Sequence, residues 1–230
     1  MSQVAIIPAR GGSKRIPHKN IKPFLGAPML HWPIAAARAA QLFDRIIVST
    51  DDAEIADCAR AAGAEALMRP ADLADDFTGV VPVIRHALGA LPDQIDAACL
   101  IYATAPFLLA DDLLAGRAAL NGAGFALSVT TFPFPIQRAV MKTPDNRLVM
   151  VTPEHRQTRS QDLPEALHDA AMFAWGDRAA WLSDIPLFGP QTAPVEIPRH
   201  RVQDLDTPED WTRAEYMGQA LIGAGEISPP

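Results

Sequence analysis

Short apolar runs alternate with helical segments along the first 130 residues, and this alternation restricts the possible folds more than any other feature. The apolar runs are residues 4–8, 45–49, 99–102 and 125–130. The helical patterns are residues 29–41, 53–62, 81–91 and 111–120. A strand, a helix and a second strand in succession form a parallel pair with the helix packed against it. We therefore predict a three-layer α/β fold, in which helices cover both faces of a mostly parallel sheet.

The regular alternation ends after Thr131. The next residues are rich in Pro, Phe and Arg, so we predict a small lobe over about residues 131–175. A strand at residues 169–175 and helices at 178–182 and 208–221 are also predicted. A chain of 230 residues with 49% hydrophobic residues can form one sizeable core. We expect a single domain over residues 1–222 and a frayed tail over 223–230.

Glycine and cationic side chains crowd the segment after the first predicted strand. We call residues 9–20 the basic loop; it contains two glycines and the cations Arg10, Lys14 and Lys19. Glycine lets backbone N–H groups approach a ligand, and the cations donate charge-assisted hydrogen bonds to phosphate oxygens. A solvated surface loop is the alternative, but it does not explain glycine and serine between the charges. Because such sheets bind ligands at the carboxyl ends of their strands, we interpret the basic loop as a phosphate site.

The basic loop contrasts with the charge of the whole chain. Residues 1–43 hold six Lys and Arg and no Asp or Glu, although the chain has 20 basic and 27 acidic residues and a net charge of −7. A local positive field favours a small anionic ligand, whereas an acidic chain is poorly suited to neutralise the many phosphates of a nucleic acid. We therefore expect no nucleic-acid partner.

Several classes of protein are disfavoured by motifs that the sequence lacks. Neither a P-loop motif nor a G-x-G-x-x-G turn occurs, which disfavours P-loop nucleotidases and dinucleotide oxidoreductases. The two cysteines and six histidines show no metal or triad spacing, so we expect no disulfide, no zinc and no nucleophilic mechanism. The N-terminus lacks a secretion signal, and no apolar stretch is long enough for a membrane span. We expect a cytoplasmic protein with no membrane partner.

Two carboxylates precede the last predicted helix. Asp204 and Asp206 lie on the same side of an extended segment, and Thr207 and Pro208 are typical of an N-cap and a first helical position. One Asp could instead stabilise the helix dipole. Because Mg²⁺ is commonly held by one or two carboxylates together with substrate phosphates, we predict a Mg²⁺ site at this pair.

The predicted lobe contains arginine and aromatic side chains that suit a carboxylated ligand. Arg138 and Arg159 lie beside glutamine or serine, a mixture that binds a carboxylate and neighbouring hydroxyls, although a solvated surface arginine is an equal alternative for each. Phe132, Phe134 and Phe173 could line an apolar pocket, but packing in a core is the more common role of phenylalanine.

Six segments together carry a resemblance to a known family. They are Ile7-Pro8-Ala9-Arg10-Gly11-Gly12-Ser13-Lys14, Lys19-Asn20, Ile47-Val48-Ser49-Thr50-Asp51, Arg69-Pro70, Thr104-Ala105-Pro106 and Asp204-Leu205-Asp206-Thr207. These segments resemble the acylneuraminate cytidylyltransferases, which make CMP-activated sialic acids from CTP. The resemblance extends from about residue 4 to 217, and residues 132–138, 158–162 and 201–204 are most similar to the branch that uses pseudaminic acid.

The resemblance implies a nucleotide-diphospho-sugar transferase fold, Mg²⁺ dependence, and a homodimer in which each lobe reaches the partner's site. It implies that cations of the basic loop hold the triphosphate of CTP, while Asn20 and Arg69 contact the nucleoside. The nucleotide-binding candidates are Ala9, Arg10, Gly11, Gly12, Ser13, Lys14, Lys19, Asn20, Arg69 and Thr78. The metal candidates are Asp204 and Asp206.

A sugar site is implied by the same resemblance, with Arg159 on the sugar carboxylate. The sugar-binding candidates are Tyr102, Thr104, Gln137, Arg138, Arg159, His168 and Phe173. Sialic-acid members often carry Gln where this chain has Tyr102, and Gln137, Arg138 and His168 also stand where those members carry other polar or basic groups. These departures favour pseudaminic acid over N-acetylneuraminic acid as the substrate.

The implied reaction is attack of the sugar's anomeric hydroxyl on the α-phosphorus of CTP, with release of pyrophosphate. Arg10 and Lys14 would stabilise the leaving group, and Asp206 would hold metal or accept the hydroxyl proton; these three are the catalytic candidates. Three alternatives remain: another keto sugar acid (legionaminic, N-acetylneuraminic or 3-deoxy-octulosonic acid), a sugar-nucleotide-dependent glycosyltransferase, and a non-catalytic binding protein.

Overall fold

Strands and helices follow one another in the predicted order through residue 131. The computed structural model describes residues 2–75, 77–92 and 94–230. The strands are β1 (Ser2–Pro8), β2 (Pro23–Phe24), β3 (Ala27–Pro28), β4 (Arg45–Thr50), β5 (Glu65–Met68), β6 (Ile95–Ile101), β7 (Phe125–Thr131), β8 (Val140–Lys142), β9 (Leu148–Met150), β10 (Leu167–Asp177) and β11 (Thr192–Glu196). The helices are α1 (His31–Ala40), α2 (Ala53–Ala61), α3 (Val80–Gly89), α4 (Ala110–Ala119), α5 (Arg178–Leu182) and α6 (Pro208–Gly223). Short 3₁₀ turns occur at Ala71–Leu73, Ile136–Arg138, Pro153–His155, Ser160–Asp162 and Arg199–Arg201.

Seven strands form one central sheet in the order β11-β7-β10-β6-β1-β4-β5. β1 pairs in parallel with β4 and β6, β4 with β5, and β7 with β11. β10 is antiparallel to both of its neighbours, β6 and β7. The prediction of a mostly parallel α/β sheet is confirmed.

Helices bury both faces of this sheet, and β1 shows the alternation directly. Ala5 and Ile7 belong to a core cluster with residues of α1, α2, α4 and α6. Val4 and Ile6 belong to a second cluster with residues of α3 and α5. Because a parallel strand covered on both sides needs apolar residues on both faces, the buried part of β1, Val4–Ile7, is a continuous apolar sequence.

Two edge strands were not predicted from the sequence. β5 is a run of only four residues, and β11 contains Pro194. Proline removes a backbone donor and is tolerated on an edge strand, and β11 pairs only with β7. These strands complete the sheet on either side, and β5 ends at Met68, directly before Arg69.

The predicted lobe is shorter than expected. β10 belongs to the central sheet, so only residues 132–166 lie outside it, and we call this segment the arm. The arm contains the hairpin β8–β9. The prediction of a frayed tail is wrong at Ile227, which is 6% exposed and packs in the core. Glu226 also pairs with His200 at 2.8 Å.

Candidate active site

A cavity of about 490 Å³ opens at the carboxyl ends of β1, β5 and β6. Its lining residues are Pro8, Arg10, Ser13, Lys14, Arg15, Lys19, Asn20, Arg69, Leu73, Asp75, Thr78, Gly79, Val80, Val83, Tyr102, Ala103, Thr104 and Asp206. Seven of these were nucleotide-binding candidates, and Tyr102 and Thr104 were sugar-binding candidates. Segments far apart in the sequence thus meet in one concave site, which is where parallel α/β sheets bind ligands.

Backbone contacts with β4 and the start of α2 shape the basic loop. The N–H of Ala9 donates to the carbonyl of Ser49 at 2.9 Å, so the strand pairing continues into the loop. The N–H of Gly11 donates to the Asp51 carboxylate at 3.2 Å. A Cβ at Gly11 would overlap the carboxylate of Asp52, the N-cap of α2, so this position requires glycine. Gly12 is exposed with open space around it, so packing does not require glycine there.

Asn20 connects the end of the basic loop to its beginning. Its side-chain amide donates to the carbonyl of Arg10 at 2.9 Å, and the residue is 6% exposed. The Arg10 guanidinium in turn donates to the carbonyl of Asp75 at 2.9 Å. The loop around Thr78 is therefore attached to the basic loop, and both face the cavity. Ala9, Gly11 and Gly12 belong to the loop without lining the cavity.

Arg69 is a buried cation on the cavity wall. Its side chain is 3% exposed and its guanidinium lies 3.8 Å from Asp51. Burial lowers the pKa of Arg69, and the Asp51 carboxylate opposes this effect. The Nε atom has no hydrogen-bond partner among the described residues. A buried donor without a partner is costly, so the position of Arg69 favours a ligand with hydrogen-bond acceptors.

The acidic pair lies opposite the basic loop. Leu205 is fully buried, so the alternating segment directs both Asp204 and Asp206 away from the core. The Arg15 guanidinium donates to Asp206 Oδ1 at 2.7 Å, and Lys19 Nζ lies 3.9 Å from the same oxygen. Lys19 also donates to the carbonyl of Leu205 at 2.6 Å. Desolvation lowers the pKa of Lys19, while Asp206 and Asp204 oppose this shift.

Helix α6 follows the acidic pair and fixes the position of Asp206 through the N-cap that the sequence predicts. Thr207 is the N-cap of α6, Pro208 is its first residue, and the Asp210 carboxylate accepts from the N–H groups of Thr207 and Asp206 at 2.8 and 3.2 Å. On the other side, buried Arg201 forms two hydrogen bonds with Asp112 in the first turn of α4 at 2.7 and 2.8 Å.

The acidic pair fits a divalent cation. Desolvation raises the pKa of Asp204, and the neighbouring Asp206 carboxylate raises it further. Two carboxylates that repel each other are stabilised by a cation between them. Residues 2–75, 77–92 and 94–230 contain no group of three or more His, Cys, Asp or Glu able to hold a metal. A pair is nevertheless sufficient for Mg²⁺ when substrate phosphates provide further ligands.

The arm holds three of the predicted sugar-binding residues away from the cavity lining. Arg159 pairs with Asp162 at 2.7 Å, Arg138 donates to Ser160 at 3.4 Å, and Gln137 donates to the carbonyl of Pro164 at 2.9 Å. His168 lies at the start of β10, where its ring centroid is 4.7 Å from that of Phe132. In this chain, therefore, Gln137, Arg138 and Arg159 do not line the cavity.

Phe173 is not a sugar-binding residue, and that prediction is wrong. Its ring is fully buried in the core, and a Cβ at Gly116 of α4 would overlap it. Because the side chain has no exposed surface, it cannot contact a ligand in the cavity.

Sequence reasoning did not identify Asp169. The pairing of β10 with β7 shifts between Asp169 and Ala174, and Ala171 in this bulge has φ +51°. The Asp169 carboxylate accepts from the Ala171 N–H at 2.7 Å. Desolvation raises the pKa of Asp169, and Asp204 raises it further. Bulges often redirect side chains beside active sites, but an alanine with positive φ gives no signal in the sequence.

Comparison with known proteins identifies the class to which this arrangement belongs. Residues 4–207 match the family model for cytidylyltransferases. The chain belongs to the cytidylyltransferase family and is a nucleotidyltransferase, which confirms the resemblance seen in the motifs.

The chain is also similar to individual proteins whose descriptions are more specific than the family. The chain is 40% identical over 223 residues to the pseudaminic acid cytidylyltransferase of Campylobacter jejuni, covering 94% of this chain and 96% of the relative. It is 32% identical over 208 residues to a Helicobacter pylori protein described as pseudaminic acid cytidylyltransferase and UDP-2,4-diacetamido-2,4,6-trideoxy-beta-L-altropyranose hydrolase, covering 89% of this chain and 40% of that one. A CMP-2-keto-3-deoxy-manno-octonic acid synthetase complexed with CTP has the same fold, with a TM-score of 0.68, 18% identity, and coverage of 96% of this chain and 100% of that one.

Among the residues that the structure describes, no helix is both long enough and apolar enough to cross a bilayer.

Proposed function

We propose that this chain transfers CMP from CTP to the anomeric hydroxyl of pseudaminic acid, giving CMP-pseudaminic acid and pyrophosphate. The observation that carries the proposal is the meeting of the basic loop, buried Arg69 and Asp206 in a single cavity. The Campylobacter jejuni relative, which is similar over nearly its whole length, supports the choice of sugar. Because CTP is an intracellular nucleotide, the proposal includes a cytoplasmic location.

The nucleotide is assigned to the part of the cavity formed by the basic loop and Arg69. Arg10, Ser13 and Lys14 would bind the triphosphate, since their side chains line the cavity next to the exposed end of the loop. Arg69 and Asn20 would bind the cytidine. Arg69 is suited to the carbonyl and ring-nitrogen acceptors of a base, because its buried guanidinium has a fixed planar fork and an Nε that no described residue accepts from.

The chemistry requires charge neutralisation and removal of one proton. The anomeric oxygen forms a bond to the α-phosphorus as the bond to pyrophosphate breaks, and Arg10 and Lys14 would stabilise the charge on the leaving pyrophosphate. Of the carboxylates that line the cavity, Asp75 accepts from the backbone N–H groups of Phe77 and Thr78 at 2.9 and 2.6 Å, whereas Asp206 accepts from the exposed side chain of Arg15, which is able to move away. We therefore assign to Asp206 the proton of the sugar hydroxyl. Mg²⁺ held by Asp204 and Asp206 would supply positive charge and lower the pKa of that hydroxyl.

We propose further that two chains form a homodimer through the arm. The arm exposes a row of large apolar side chains although the central sheet buries most of its own. The exposed apolar residues of the arm are Phe134, Ile136, Val140, Met141, Leu148, Val149 and Val151. A concentration of exposed apolar side chains in one segment is typical of protein–protein interfaces. A partner's arm would also bring Arg138 and Arg159 to a cavity that the same chain's arm does not line.

Leu148→Asp is expected to convert the dimer into a monomer at micromolar concentration. The side chain is 74% exposed in β9, so the substitution does not disturb the core, but a charge at the centre of an apolar interface is strongly unfavourable. Analytical ultracentrifugation measures the mass. Phe188→Asp, at a residue 67% exposed outside the arm, is the matched control and should leave the dimer intact. A wild-type monomer, or a dimer that survives Leu148→Asp unchanged, contradicts the assignment.

Pseudaminic acid is expected to be used with a kcat/KM about 100-fold higher than N-acetylneuraminic acid. Pseudaminic acid ends in a methyl group where N-acetylneuraminic acid carries a hydroxymethyl, and an apolar subsite for that methyl group would reject one added hydroxyl by about 100-fold. The measurement is a coupled pyrophosphate assay with CTP and pseudaminic, legionaminic or N-acetylneuraminic acid. Equal use of both sugars contradicts the substrate assignment but not CMP transfer. Pyrophosphate release that does not require the sugar contradicts the whole proposal.

A further inference from the structure

Arg15 binds one carboxylate oxygen of a predicted metal ligand, Asp206. Its Nη2 lies 2.7 Å from Asp206 Oδ1, and this contact joins residues separated by 191 positions in the sequence. Lys19 Nζ lies 3.9 Å from the same oxygen. Mg²⁺ binds carboxylate oxygens at about 2.0–2.1 Å, so a metal on Asp206 would lie close to this guanidinium, and like charges repel. Each of the two cations therefore weakens the binding of the other at Asp206.

Arg15 is the cation of this pair that is able to leave. Its side chain is 64% exposed, whereas that of Lys19 is 20% exposed and also donates to the carbonyl of Leu205 at 2.6 Å. An exposed ion pair is weak, so Arg15 is released at little cost when another anion is present. Lys19 stays where its hydrogen bond to the carbonyl of Leu205 holds it.

The triphosphate of CTP would provide that other anion. Arg15 lines the same cavity as Lys14 and Arg10, the residues assigned to the triphosphate. A guanidinium forms paired hydrogen bonds with phosphate oxygens as readily as with a carboxylate. Nucleotide binding therefore offers Arg15 a new partner and at the same time frees Asp206.

We propose that Arg15 is a positioning residue that blocks Asp206 in the nucleotide-free enzyme and releases it to the divalent cation when the triphosphate binds. This inference rests on the proposed function, because it takes Asp206 as a metal ligand. Its consequence is positive cooperativity between nucleotide and metal. The cation enters the site together with the substrate rather than before it, and the exposed pair Arg15–Asp206 is the element that couples the two.

Mn²⁺ binding tests this coupling without turnover. The dissociation constant of Mn²⁺ is measured by electron paramagnetic resonance, with and without cytidine 5′-[α,β-methylene]triphosphate, which cannot release pyrophosphate. For Arg15→Ala we expect Mn²⁺ to bind the nucleotide-free protein about fivefold more tightly than it binds the wild type, and the cooperativity factor to fall by the same amount. Lys22→Ala removes the same charge from a residue that stacks on Trp211 at 4.2 Å, and it should change either value less than twofold.

Two outcomes would overturn the inference. If Arg15→Ala leaves both Mn²⁺ affinity and cooperativity at the wild-type values while Asp206→Asn weakens Mn²⁺ binding, the metal assignment stands and the role of Arg15 is refuted. If Asp206→Asn leaves Mn²⁺ binding unchanged in the nucleotide complex, the metal assignment itself fails, and the role of Arg15 fails with it. If Lys22→Ala tightens Mn²⁺ binding as much as Arg15→Ala does, the effect comes from the overall positive charge and not from the Arg15–Asp206 contact. That result would also refute the proposal.

Discussion

Asp206→Asn is expected to lower kcat about 1,000-fold or more with pseudaminic acid and saturating CTP. The amide is nearly isosteric with the carboxylate, but it is a poor ligand for Mg²⁺ and cannot take up the proton of the sugar hydroxyl. The fold should be unaffected, because Asp206 pairs with Arg15 across partly exposed side chains, and such a pair contributes about 0–1 kcal/mol. Steady-state kinetics and a thermal melt test the two statements separately.

Glu209→Gln is the matched control for this variant. Glu209 is an exposed residue in the first turn of α6, three positions after Asp206, and its substitution removes the same charge from the same surface. Its kcat should stay within about threefold of the wild-type value, since distant exposed charges are screened by salt. Wild-type activity of Asp206→Asn at saturating Mg²⁺ would refute both roles assigned to Asp206.

Lys14→Ala is expected to lower kcat/KM for CTP about 100-fold. Lys14 lines the cavity as part of the basic loop, and removal of one preorganised positive group from a developing charge costs about 100- to 1,000-fold in rate. Because its exposed ammonium is not part of the core, the stability of the protein should not change. The measurement is the pyrophosphate assay at varied CTP concentration.

Lys22→Ala separates a shaped site from a general positive field. Lys22 follows Lys14 and Lys19 in the chain. Its ammonium lies 4.2 Å from the centre of the Trp211 ring, and the residue does not line the cavity. We expect its kcat/KM to remain within about twofold of the wild-type value. If Lys14→Ala and Lys22→Ala lower kcat/KM equally, the basic loop attracts CTP only through its overall charge, and the specific assignment of Lys14 is wrong.

The architecture was largely predictable from the sequence because most of its elements carry strong periodic patterns. β1 is apolar from Val4 to Pro8, and α6 begins at a Thr-Pro pair that forms the predicted cap. Edge strands carry weaker signals, since they are buried less and tolerate residues that a central strand excludes. β11, with a proline in five residues, is the clearest example.

The candidate site was predictable where the chain brings residues together locally, and less so where the contacts are between distant segments. The basic loop is continuous, so its composition alone indicates a phosphate site. Nothing in the sequence distinguishes Arg15 from the other cations of this loop, because its partner Asp206 lies 191 residues away. Phe173 was misassigned for a related reason: the shift of register before Ala174 decides which side chains of β10 enter the core.

The position of β10 also determines when the sheet can be completed during synthesis. β6 and β7 belong to successive βα units, yet β10, which begins only at Leu167, lies between them. Until that strand leaves the ribosome, β7 has nothing to join it to β6, and β5, β4, β1 and β6 form the largest sheet that can assemble. The edge of β6 stays unpaired throughout this interval. While residues 132–166 are translated, the nascent chain therefore carries an unpaired strand edge of the kind that favours aggregation.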